Sequence, residues 1–81
     1  VPDDATRVRR VVADVLGVDA ATLSDDSNPD TVPSWDSLAH LNLVVALEQE
    51  FGVALSPDDV LEMMSMKLIT LILRERGALA G

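Results

Sequence analysis

The chain is 81 residues long, carries a net charge of −8 and contains no cysteine. Its length allows one core and one domain spanning residues 1–81, and the lack of cysteine excludes disulfide staples, thiolate metal sites and a thiol nucleophile of its own. Lys and Arg are absent from Val11 to Met66 while eleven acids fall there, a field that repels nucleic acid and draws basic protein surfaces.

The first predicted helix runs from about Asp4 to Leu16. Asp3 or Asp4 caps it, Val8, Val11, Val12, Val15 and Leu16 form an apolar stripe at helical spacing, and Gly17 ends it. A long polar stretch from Val18 to Ser34 shows no periodicity and holds Pro29 and Pro33. Val18, Leu23 and Val32 are its candidate anchors to a core.

A second helix spans about Asp36 to Phe51 and stops at Gly52. Stepping about 100° per residue places Leu43, Val44, Leu47 and Phe51 on one side, with His40 among them. Leu38, Leu41 and Val45 fall on the other side, beside Ser37, Asn42, Glu48 and Gln49. A surface helix of a small bundle needs one apolar face, so the second stripe reads as a docking surface.

A short third helix fits Pro57 to Met64, with Ser56 as N-cap and Pro57 at its first position. Ser65 caps a fourth, from Met66 to about Arg76, which Gly77 ends. Only Val53-Ala54-Leu55 resembles a strand, and one short strand makes no sheet. The expected fold class is therefore all-α, a four-helix bundle of three longer helices and a short third one, with a long loop between the first two.

Two candidate chemistries fail for want of their required partners, and a third feature stays open. Ser37 and His40 lie three apart, but no third orienting group or Gly-rich oxyanion loop accompanies them, and His40 projects toward the core. No catalytic residue is expected. Asp26-Ser27-Asn28-Pro29-Asp30 resembles the start of a calcium loop, yet the sixth position is Thr31 instead of Gly and the twelfth is Ser37 instead of Glu. No metal site is expected, and these side chains read as turn formers. Met63, Met64 and Met66 serve either as core filler or as the lining of an adaptable pocket.

Ser37 remains. A serine in the first turn of a helix is ordinarily a cap. This one also heads the second apolar stripe inside the acidic field, and helix N-terminal amides there favour an anion such as a phosphate ester.

The stretch Trp35-Asp36-Ser37-Leu38-Ala39-His40-Leu41-Asn42-Leu43, followed by Ala46-Leu47-Glu48-Gln49-Glu50-Phe51-Gly52-Val53, resembles the second helix of discrete bacterial acyl carrier proteins. Asp36-Ser37-Leu38 matches the family's attachment motif. Ser56-Pro57-Asp58-Asp59 and Ser65-Met66 fit the starts of its third and fourth helices. The resemblance implies that a separate phosphopantetheinyl transferase attaches 4′-phosphopantetheine to Ser37 from coenzyme A. The arm's thiol then holds acyl groups as thioesters, and the chain is a carrier, not an enzyme.

The resemblance further implies that acyl-loading and acyl-processing enzymes present basic surfaces to Asp36, Glu48, Asp58, Asp59 and Glu62, around contacts with Leu38, Leu41, Asn42 and Val45. Trp35 stands where many fatty-acid carriers have a small residue, and Asn42 and Leu61 take positions that are often acidic. Those departures point to a specialised, polyketide-like pathway. The competing readings are a peptidyl or aminoacyl carrier and a non-covalent helical adaptor. No apolar run approaches the ~18 residues of a membrane span, and the N-terminus lacks a signal-peptide pattern. A cytoplasmic monomer without membrane contact is expected.

Overall fold

The computed structural model describes residues 4–79, and every regular element among them is helical. Helix α1 spans Asp4–Leu16, α2 Ser37–Phe51, α3 Pro57–Glu62 and α4 Met66–Glu75. The all-α four-helix expectation holds. Asp3 lies outside the described residues, and Asp4 is the first residue of α1. Val53-Ala54-Leu55 joins no ladder and links α2 to α3.

The core draws one face from each long helix. Val8, Val12 and Leu16 of α1 meet Leu43 and Leu47 of α2 and Ile69, Ile72 and Leu73 of α4, all buried. The spacings of three, four and eight residues are those of one helical face. Arg7 reinforces the α1–α2 contact, with its guanidinium 4.7 Å from the centroid of the Phe51 ring and 3.3 Å from Glu50.

The long loop is more ordered than its composition suggests. It contains a 3-10 turn, Ala20–Thr22, that periodicity did not reveal, capped by the Asp19 side chain accepting from the Ala21 amide. Leu23 and Val32 are buried and Val18 is half-buried, as their apolar character predicts. Asn28 Oδ1 accepts from the amides of Asp30 and Thr31, and its Nδ2 donates to the Asp26 carbonyl. This side-chain turn occupies the stretch that resembles a calcium loop. The loop carbonyls of Ser27 and Asp25 accept from Met66 and Lys67, satisfying two of the first amides of α4.

Local capping sets the remaining boundaries. Ser56 and Asp59 form a reciprocal capping box around Pro57, and Ser65 Oγ accepts from the Leu68 amide. Gly52 ends α2 at φ +63°, a conformation that a Cβ disfavours. Helix α3 stops at Glu62 instead of Met64. Met63 leaves the helical region at ψ 51° and the Met64 amide turns back to the Glu62 carbonyl, freeing Ser65 to begin α4. Arg76 is the C-cap of α4, one residue beyond the helix.

Candidate functional site

Asp36, not Ser37, is the N-cap of α2. Its Oδ1 accepts from the Ala39 amide at 2.8 Å and its carbonyl accepts from His40 at 2.8 Å. Ser37 is therefore the first helical residue. Its side chain is exposed, and among the described residues its hydroxyl has no hydrogen-bond partner. The amides of Ser37 and Leu38 are those that helix geometry leaves without an intrahelical acceptor. An exposed, uncommitted hydroxyl thus lies beside two amides suited to an anion.

Trp35 and His40 lie beneath it. Both are buried, at 2% and 8% exposure, although they flank the most exposed turn of α2. The indole Nε1–H donates to His40 Nδ1 at 3.0 Å, and the other imidazole nitrogen lies 2.8 Å from the Val60 carbonyl. Indole only donates and a carbonyl only accepts, so the hydrogen of the neutral ring sits on Nε2 and is donated to Val60. Both ring nitrogens are engaged, which leaves none to take a proton from Ser37. His40 is structural, as its place on the core face predicts. Breaking either link would orphan a buried polar group, at about 1–3 kcal/mol each.

A groove of about 430 Å³ opens between α2 and α3. Asp36, Ser37, Leu41, Val60, Leu61 and Met64 line it together with Trp35 and His40, whose burial makes them its inner surface. The methionines divide between the two roles open to them. Met63 and Met66 are buried in the core, whereas Met64 is exposed along the groove.

The predicted second apolar face of α2 is present: Leu38, at 68% exposure, Leu41 and Val45 all face solvent. Leu61 of α3, at 75%, extends the same apolar surface. Asp36, Asn42, Asp58 and Glu62 are exposed. Glu48 is half-buried and accepts from the Leu55 amide at 2.9 Å, so it also ties down the loop after α2.

Asp59 departs from the expectation of a partner-facing acid. It is 3% exposed and its carboxylate is filled by Arg76, with Nε donating to Oδ2 at 3.0 Å and Nη2 donating to Oδ1. The fork joins α3 to the end of α4 and turns Asp59 inward. The Arg76 guanidinium, then the Ser56 amide, hold the Asp59 carboxyl down at about 2, below its ordinary 3.8. A depressed folded-state value means that the ionised pair stabilises the fold above the ordinary carboxylate value and ceases to do so as pH falls through about 2. Urea melts of wild type should therefore lose stability between pH 4 and pH 2, and Asp59→Asn should flatten that segment of the profile. An unchanged profile in the variant would show that the pair contributes no pH dependence.

Residues 6–70 match a family model described as a phosphopantetheine attachment site. An acyl carrier protein of Solidesulfovibrio magneticus is 34% identical over 74 residues, covering 90% of this chain and 95% of that protein. The chain belongs to the acyl carrier protein family. An acyl carrier protein of Sinorhizobium fredii is 46% identical over 57 residues, covering 70% of this chain and 72% of that protein. The carrier's fold also matches the solution structure of a holo acyl carrier protein from Geobacter metallireducens, with a TM-score of 0.80 at 19% identity, over 91% of this chain and 85% of that one.

Membership makes this chain an acyl carrier protein whose cofactor is covalently attached 4′-phosphopantetheine. The residues present fit that group. A nucleophile that must be modified needs an exposed oxygen free of competing hydrogen bonds, and Ser37 offers one beside unpaired helix amides. Among the described residues, no helix is long and apolar enough to cross a membrane.

Proposed function

We propose that Ser37 is the residue that bears the arm, and that a separate phosphopantetheinyl transferase attaches it from coenzyme A. The observation that carries this reading is the uncommitted, exposed Ser37 hydroxyl on the residue directly after the Asp36 cap. When bound, the arm supplies a terminal thiol, the function this cysteine-free chain lacks, on which acyl groups are held as thioesters.

The chain's own residues have limited tasks. Ser37 Oγ attacks a phosphorus of coenzyme A; the Oγ–P bond forms as the bond to the nucleotide portion breaks, and the Oγ proton departs. The acceptor for that proton belongs to the transferase, because both nitrogens of His40 are occupied. Asp36 holds the helix start with Oδ1 and presents its carboxylate toward the transferase and the metal of that enzyme. The Ser37 and Leu38 amides then face the phosphodiester.

Acyl-loading and acyl-processing enzymes meet the face made by Leu38, Leu41, Asn42 and Val45, with Asp36, Glu48, Asp58 and Glu62 receiving their cations. An apolar centre with a charged rim suits transient docking, where charge accelerates encounter and apolar contact supplies affinity. Asp59 takes no part in this surface. Trp35, Asn42 and Leu61 favour a specialised, polyketide-like pathway in the cytoplasm over bulk fatty-acid synthesis, and the domain works as one unit over residues 1–81. Tethering raises the local concentration of an intermediate at each successive active site.

The test is intact-protein mass after incubation with coenzyme A and a promiscuous transferase. One phosphopantetheine should be added, and peptide mapping should place it on the fragment containing Ser37. A wild type that stays unmodified, or an arm mapped to another residue, would overturn the assignment and favour a non-covalent adaptor.

A further inference from the structure

We propose that the Trp35–His40 pair sets the depth of the groove between α2 and α3, so that the carrier holds a short acyl group against its surface and keeps long alkyl chains out of the bundle. The inference rests on the carrier reading above and narrows it to a class of cargo.

Three observations support it. The groove is lined by Ser37 and also by Trp35 and His40, which are nearly inaccessible although they line it. Their rings lie 6.2 Å apart, centroid to centroid, with planes 25° apart, so they form a two-ring floor. Leu43, Leu47 and Met63 are fully buried in the core of the bundle.

The floor is also fastened. The chain of hydrogen bonds from Trp35 Nε1 to His40 and on to the Val60 carbonyl runs from the end of the long loop, through α2, to α3. Asp59, the residue before Val60, is forked by Arg76. Helix α3 is thus held from two directions, toward α2 and toward the end of α4. A growing alkyl chain could enter the bundle only by parting α2 from α3, and that would strand the His40 N–H or the Val60 carbonyl away from water. Leu41, Leu61 and Met64 offer apolar contact above the floor instead, enough to shelter a short chain.

The experiment loads the full chain with butyryl, hexanoyl, octanoyl and decanoyl arms from the corresponding acyl-coenzyme A thioesters. Hydroxylamine cleavage of each thioester is then timed against the free acyl-pantetheine. In wild type the protection should level off within the shorter members of the series. Trp35→Leu, which shortens the floor side chain while keeping it apolar, should move the plateau to longer chains, with about fourfold slower cleavage for each further methylene buried. Protection that keeps growing through decanoyl in wild type, or the same plateau in the variant, would overturn the proposal.

A second measurement needs no variant. The Trp35 indole N–H resonance of wild type should stay in place as the chain grows from hexanoyl to decanoyl, because the floor is not displaced; a shift that grows with chain length would contradict it. Failure to load any arm would instead strike at the assignment of Ser37, so the two outcomes are distinguishable.

Discussion

Ser37→Ala should abolish phosphopantetheine attachment completely while leaving thermal stability within about 0.5 kcal/mol of wild type. The first half follows from chemistry, since no other atom at this position can form the phosphoester. The second half follows from capping: Asp36 supplies the oxygen that satisfies the Ala39 amide, and among the described residues the Ser37 hydroxyl satisfies nothing. Alanine is also a good helix former at a first-turn position. Asp36→Ala should behave in the opposite way, losing about 1 kcal/mol of stability with the cap. Intact mass and a paired thermal melt separate the two residues. A Ser37→Ala protein that still gains the arm, or that melts as early as Asp36→Ala, would show that the cap and the attachment point have been misassigned.

Trp35→Ala should be among the most destabilising single changes available to this carrier, at about 3–5 kcal/mol. The indole is 2% exposed, fills the volume beneath the groove, and donates the hydrogen bond that orients His40. Removal leaves a cavity and an unpaired Nδ1 together, and the remaining His40–Val60 link then lacks its orienting partner. For a domain of this size the total stability is about 4–12 kcal/mol, so the midpoint should fall by more than about 10 °C. Far-ultraviolet circular dichroism follows the melt without relying on the lost fluorophore. A shift of only a few degrees would mean that the core repacks into the vacated space and that the floor is not a fixed element.

These outcomes bear on why Trp35 stands beside the attachment motif. A large side chain before Asp36 looks from the sequence like a pathway marker. It is buried, packed against the His40 ring and part of the groove lining beside Ser37.

Much of this carrier was legible in the chain itself because the governing interactions are local. Ser56 and Ser65 announce helix starts through hydrogen bonds reaching three residues, and Gly52 announces a stop through its own backbone freedom. The two faces of α2 follow from a period of 3.6 residues repeated over four turns, which sorts Leu43 and Leu47 from Leu38, Leu41 and Val45 without reference to any other element. Helix α3 defeated the same reasoning. Six residues make fewer than two turns, too few for a period to assign a face, so Asp58 and Asp59 looked equivalent. Arg76, seventeen residues away, decides that Asp59 is buried and Asp58 is not. The Trp35–His40–Val60 line and the division of Met63 and Met66 from Met64 arise likewise from how α2, α3 and α4 cross. The long helices, the Ser56 and Ser65 caps and the place of Ser37 at the head of an apolar stripe could be read from the chain, since they depend on neighbours within a turn or two. Which of the two acids is buried, where the indole packs and what lines the groove follow instead from how the helices meet, as in the contacts of Arg76 with Asp59 and of His40 with Val60.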